Sequence, residues 1–228
     1  DWRELRTVAP LTWHSNSAAG GVYSSANDMA RWMNVQLDGG RLPGSDARLF
    51  GDKRQQQMWS VVTPQGIAEP VVPELAPMRP NFAGYGEGWS LSDYRGQKLV
   101  WHTGGWPGMV SRVTLVPGRN LGVVVLTNQE AGGAFNALTM QVLDAFMQPA
   151  QRTDWIDAYV AAADKARAKA DKAWRERLAA RQARSTPSLP LAGYAGTYRD
   201  AWYGDVDVVH DGGRLRMRFQ PSPLLTGT

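Results

Sequence analysis

The chain contains no cysteine among its 228 residues. That absence excludes disulfides, thiolate metal ligation and a cysteine nucleophile at once. Histidine is scarce too: His14, His102 and His210 stand far apart and offer no zinc-ligand spacing. His14 and His210 read as surface or loop residues. No apolar run reaches the length of a membrane span, and the longest, LGVVVL at 121–126, reads as a strand. The chain starts at Asp1 with no initiator Met and no signal-peptide pattern, so any targeting segment is expected to have been removed or never included. What is present is a globular composition, 43% hydrophobic and 20% charged, with ten Trp. The length allows one sizeable core, or one domain and part of another.

The formal charge of +4 is uneven, with eight Lys or Arg against three acidic residues between Asp164 and Arg184. These charges lie on an Ala-rich stretch with one aromatic, Trp174, among them and no nucleic-acid-reading module. A solvated helix face is therefore expected, and no nucleic-acid partner.

Residues 1–21 read as irregular. Ser25 and Asp28 then form a capping box, with Met29, Trp32, Met33 and Leu37 on one helical face and Gly39-Gly40 as the stop. Five prolines between 64 and 80 mark a surface excursion. From Tyr85 the runs YGEGWSLSDY, KLVWH, MVSRVTLV and LGVVVLTN are separated by Gly, Pro and Asn turns and read as an antiparallel meander. The last run is apolar at consecutive positions, so both its faces should be covered. A helix with Phe135, Leu138, Val142 and Phe146 as its apolar stripe is expected to cover one of them. Residues 153–184 form a long helix with Trp155, Tyr159, Ala163, Ala166, Ala170, Trp174 and Leu178 on a narrow stripe. STPSLPLAG breaks the chain as a linker. GYAGTY, GDVDVV, the turn HDGG and RLRMRF then begin a second β unit, whose two or three strands cannot close a barrel.

HTGG at 102–105 puts a His, a hydroxyl and two bare backbone positions together on one strand. With AAGGVYSSANDMARWM before it, YGEGW just upstream and GVVVLTNQ after it, the stretch resembles the penicillin-recognising serine hydrolase superfamily. More narrowly, it is similar to the branch of class C β-lactamases, family VIII esterases, D-aminopeptidases and DD-peptidases. LAGYAGTYRDAWYG is similar to a small β domain appended to some of these hydrolases. That superfamily performs acyl transfer with three motifs in one cleft: S-x-x-K, Y-x-N or a variant, and K-T-G or H-T-G. Only the third is present. None of the five lysines has a Ser three positions before it, and no Tyr is followed two positions later by Asn. The resemblance therefore implies that Asp1 is an internal position of a longer hydrolase. Ser25-Ala26-Asn27 fits S-x-N, but it opens an amphipathic helix where Ser25 already has a capping role.

The resemblance implies a role for each residue of the third motif. Acyl transfer builds negative charge on the former carbonyl oxygen, and preorganised amide donors stabilise it. One donor would be the amide of the nucleophile outside this chain, and the other the amide of Gly105. Gly104 and Gly105 would leave room for a substrate lying along the strand, and the Thr103 hydroxyl would donate to a substrate carboxylate or carbonyl. His102 would stand in place of the commoner Lys and contact the Tyr of the second motif. Taken without the resemblance, His102 reads as readily as a hydrogen-bonded strand histidine, and Gly104-Gly105 as a turn. Glu87, between two glycines, reads as strand-edge polarity. Trp89 and Trp106 either line a cleft mouth or pack.

The expected fold class is α/β (α+β), an antiparallel sheet flanked by helices, β-lactamase/transpeptidase-like and truncated, with an incomplete second β-barrel-like domain. Residues 1–150 would be the C-terminal part of the hydrolase domain, 151–188 a helical connector and 189–228 a partial appended domain. The parent would cleave an ester, amide or β-lactam through a Ser acyl-enzyme, with no metal or organic cofactor. Its partner would be a small molecule or short peptide, and its location periplasmic or secreted by resemblance. The alternatives are a non-catalytic penicillin-binding-like protein and an interaction module built on the helix at 153–184.

Overall fold

The computed structural model describes residues 7, 17–180 and 186–227. His14 and most of the segment expected to be irregular lie outside the described residues. Within that segment Ser17–Gly20 forms one helical turn, α1. The chain divides into two compact units, Asp1–Ala170 and Asp171–Thr228. Among the described residues no helix is long and apolar enough to cross a membrane.

The first unit is built on a six-stranded sheet. Its strands are β1 (Thr63–Pro64), β2 (Ala83–Tyr85), β3 (Ser90–Tyr94), β4 (Gln97–Trp106), β5 (Met109–Val116) and β6 (Leu121–Thr127). They lie side by side in chain order, every pair antiparallel. The meander expected from the turn residues is the observed topology. Arg95 and Gly96 link β3 to β4, both with left-handed backbone, and Asn120 is left-handed before β6.

Two cores lie on opposite faces of the sheet. On one face Tyr94, Leu99, Val116 and Val123 meet Ala137, Met140 and Leu143 of α4 (Gly132–Met147) and Trp155 of α5 (Trp155–Ala180). On the other, Trp89, Leu91, Val100 and Leu115 meet Met33 of α2 (Ala26–Leu37), with Met58, the last residue of α3 (Asp52–Met58), alongside. Alternation along β4 and β5 thus divides neighbouring residues between two helical layers. As the run at 121–127 implied, β6 is covered on both faces, by α2 and by α4.

Three helical faces differ from expectation. Ser25 does cap α2, accepting from the Asp28 amide, but Asp28 reaches back to the Ser25 hydroxyl (2.9 Å). On α2, Val35 and Gln36 are buried with Met33, while Trp32 is exposed. The helix approaches β6 through Met33, whose Sδ lies 2.9 Å from where Gly122 would carry a Cβ, so the glycine makes the close approach possible. On α4 the buried residues are Phe135, Ala137, Thr139, Met140, Leu143 and Asp144. Leu138, Val142 and Phe146, expected inside, are exposed.

The reason lies in hydrogen bonding. Asp144, 8% exposed, accepts from Tyr94 Oη (2.5 Å), Arg95 Nε (3.0 Å), Arg95 Nη2 (3.3 Å) and Trp155 Nε1 (2.9 Å). A carboxylate collecting these donors, with Tyr94 and Trp155 buried, turns its own helix face inward. Burial, and then the Asp144 carboxylate, hold the Tyr94 hydroxyl well above the usual phenol range. On α5 only Trp155 and Ala158 are buried, and Trp174 and Leu178 of the expected stripe are exposed.

The second unit is a four-stranded antiparallel meander of β7 (Gly196–Asp200), β8 (Gly204–Asp211), β9 (Arg214–Phe219) and β10 (Ser222–Gly227). It holds one strand more than expected. The extra one, β10, is an edge strand, where Pro223 costs no ladder bond. His210 lies within β8, exposed, and the turn sits at Gly212-Gly213, both left-handed.

Candidate active site at the open edge of β4

β3 pairs with β4 only as far as Ser90 opposite Trp101. Beyond that point β4 runs for five more residues, His102 to Trp106, against β5 alone. The strand therefore does not end at the two glycines. It turns at Pro107-Gly108, where Gly108 has a φ of +83° and its amide donates to Glu130 Oε1 (3.2 Å).

The phase of the ladder decides where each backbone group points. The Val110 amide donates to Thr127 on the β6 side (3.3 Å), so Met109, Ser111 and Val113 turn theirs toward β4. Their partners Trp106, Gly104 and His102 are the hydrogen-bonded ones. The amides and carbonyls of Thr103 and Gly105 consequently point the other way, to an edge where no strand pairs among the described residues.

The two glycines differ in what demands them. A Cβ on Gly104 would lie 2.5 Å from Ser111 Oγ, so the protein itself fills that space. A Cβ on Gly105 would meet nothing within 4 Å, and Gly105 does not have a left-handed backbone. Neither packing nor conformation within the described residues calls for glycine there. Among the described residues, the bare, exposed position leaves an open seat beside an amide that no strand pairs.

His102 is exposed at the same edge, and its Nε2 lies 3.2 Å from the hydroxyl of Tyr85, the last residue of β2. The two rings meet edge to face, 6.1 Å between centroids at 62°. Tyr85 was not singled out from the sequence. It lies 17 residues before His102, and only the order β2-β3-β4 brings the two together.

Thr103 is half-buried and pairs with Arg112 across β5. The Arg112 guanidinium lies 4.3 Å over the Trp101 ring and donates to Thr114 Oγ1 (3.0 Å) and Asn136 Oδ1 (2.6 Å). Burial lowers its pKa to about 10, so it stays charged at neutral pH and adds positive potential beneath the hairpin. This residue too was missed. The signal was available, because placing the Pro107-Gly108 turn makes Arg112 the cross-strand partner of Thr103.

The other residues fall outside the site. Trp89 is buried in the core on the α2 face. Trp106 is half-buried, with Gly20 of α1 so close that a Cβ would lie 2.9 Å from its ring. Glu87 is exposed, its amide bonded to the Met58 carbonyl (3.2 Å). Among the described residues no cluster of three or more His, Cys, Asp or Glu could hold a metal ion.

Comparison with known proteins adds to this geometry. The family model described as Beta-lactamase matches residues 1–146, and one described as a domain of unknown function (DUF3471) matches residues 180–228. Unguisins hydrolase ungD of Aspergillus violaceofuscus (strain CBS 115571) is 28% identical over 207 residues, 86% of this chain and 35% of that protein. Unguisins hydrolase ungD' of Aspergillus campestris (strain IBT 28561) is 25% identical over 210 residues, again 86% of this chain and 35% of that protein. The chain thus spans about a third of the length of these relatives. A solved structure described as the crystal structure of SurE matches at 19% identity over 75% of this chain and 31% of that one. The TM-score of that match is 0.32.

Proposed function

Because the chain belongs to the beta-lactamase family, whose model covers residues 1–146, we propose that the open edge of β4 seats the acyl group of a substrate cleaved through a serine acyl-enzyme. The vacant space and unpaired amide at Gly105 carry this reading. The nucleophile would come from an S-x-x-K motif in a longer protein, since no lysine of this chain has a Ser three positions before it.

In that reaction the Ser oxygen attacks the acyl carbon, and the carbonyl electron pair moves onto the oxygen. The Gly105 amide and the amide of the nucleophile donate to this oxyanion. As the tetrahedral centre collapses, the bond to the alcohol or amine breaks and the leaving group takes up a proton. Water then attacks the acyl-enzyme and regenerates the Ser. Thr103 would donate to a carbonyl or carboxylate of the bound substrate. Both relatives are named as hydrolases, which supports the reaction class. The imidazole at 102 is a weaker anion anchor than a lysine would be, so neutral esters and amides are the favoured substrates over β-lactams.

Intact-mass measurement of the full-length protein with a chromogenic ester, a D-amino-acid amide and a cephalosporin tests the proposal. One acyl group per molecule on the S-x-x-K serine is the expected result, and this chain alone should take up none. An adduct on Ser24 or Ser25 of this chain would overturn it, as would a full-length protein that neither binds nor cleaves any of the three.

A further inference from the structure

We propose that Tyr85 is a positioning residue of this site: its hydroxyl donates to His102 Nε2 and fixes the imidazole as the neutral Nδ1–H tautomer. The inference rests on reading the β4 edge as the acyl site, and it names the chemistry that edge offers a substrate. At 3.2 Å the hydrogen bond could run either way. A phenol is the stronger donor of the two, and a neutral imidazole nitrogen a stronger acceptor than a phenol oxygen, so the O–H···N direction wins.

The phenol is firmly mounted. Tyr85 pairs with Thr63 on one side and Ser90 on the other, and its carbonyl accepts from the Val62 amide (2.9 Å). Gly86 follows so closely against the end of α3 that a Cβ would lie 2.3 Å from the Met58 carbonyl oxygen. The edge-to-face contact holds the plane of the imidazole as well. No other hydrogen bond to His102 side-chain atoms occurs among the described residues, so Nδ1–H is left to donate outward.

The consequence concerns substrate class. Nδ1–H of His102 and the amide of Gly105 are both uncharged donors on one open strand edge. Such a pair suits carbonyl oxygens of esters and amides, and gives a substrate carboxylate less than an ammonium group would.

Nitrogen NMR of the chain labelled at its three histidines reads the tautomer directly, with His102→Gln assigning the signal. At about two pH units above the ordinary imidazole pKa of roughly 6.5, His102 should carry its proton on Nδ1. His210, exposed and without such a partner, should show mainly the Nε2–H form that free histidine favours. Tyr85→Phe keeps the ring and removes the hydroxyl, and should return His102 to mainly Nε2–H at an unchanged melting temperature. A native His102 protonated on Nε2 overturns the proposal, and so does a Tyr85→Phe chain that keeps Nδ1–H. If that variant does not fold, the native spectrum alone decides. The measurement needs no acylation. An Nδ1–H tautomer in a protein that takes no acyl group would leave the pair standing and remove the hydrolase reading.

Discussion

Asp144→Ala is expected to destabilise the first unit more than any other single truncation of a polar side chain. The carboxylate holds Tyr94 of β3, Arg95 of the β3–β4 turn and Trp155 of α5 to α4. Its removal leaves a phenol hydroxyl and an indole N–H buried without their acceptor, since Tyr94 is 2% exposed and Trp155 0%. It also leaves Arg95 without the ion pair that accompanies its left-handed backbone. Each buried donor left without its acceptor costs about 1–3 kcal/mol, so the two together cost about 2–6 kcal/mol. For a unit of this size that is roughly 4–24 °C in melting temperature. Phe146→Ala, two residues along the same helix, should stay within about 0.5 kcal/mol, because that ring is 65% exposed. Urea unfolding of both variants, followed by circular dichroism, compares them. A cost below about 1 kcal/mol for Asp144→Ala would mean that the helix is held by its apolar contacts alone.

Gly105→Val should separate stability from activity. Valine suits an extended strand, and its side chain would occupy space that no described residue fills. This chain should therefore unfold at nearly the same urea concentration with or without the substitution. In the full-length protein the same branched side chain would lie where the acyl group sits and would keep its oxygen from the amide. Loss of one oxyanion donor typically lowers kcat by about 10²–10³, and acylation should fall at least that far. Gly104→Ala is the informative contrast, since its Cβ meets Ser111 Oγ and the hydroxyl must turn away before the strand can accept it. Acylation of Gly105→Val at a rate near that of the parent would place the substrate elsewhere.

The sheet was legible because its turns are written in residues that favour them, such as Gly96 and Asn120, and its strands in short apolar, β-branched runs, although β4 continues past the two glycines where a strand end was expected. β10 was not, because Pro223 argues against a strand unless the strand lies at an edge. The faces of α4 were misread for a different reason. AFNALTMQVLDAFM is apolar on more than one side, and an aspartate is by default assigned to solvent. What turns Asp144 inward is a set of donors on other elements, Tyr94 and Arg95 from the sheet and Trp155 from the next helix, and the periodicity of its own helix carries no trace of them. The site divided along the same line. His102, Thr103, Gly104 and Gly105 are contiguous and could be read as a motif. Tyr85 and Arg112 join them only through strand order and register.

The Gly105 amide at the open edge of β4 is expected to receive the acyl oxygen. A crystal structure of the full-length protein trapped as its acyl-enzyme tests this most directly. The acyl oxygen should lie at roughly 2.7–3.1 Å from the Gly105 nitrogen, with the acyl chain running along His102 to Gly105. An acyl group bound with its oxygen turned away from β4, and another strand or loop paired to the Gly105 amide, would contradict it.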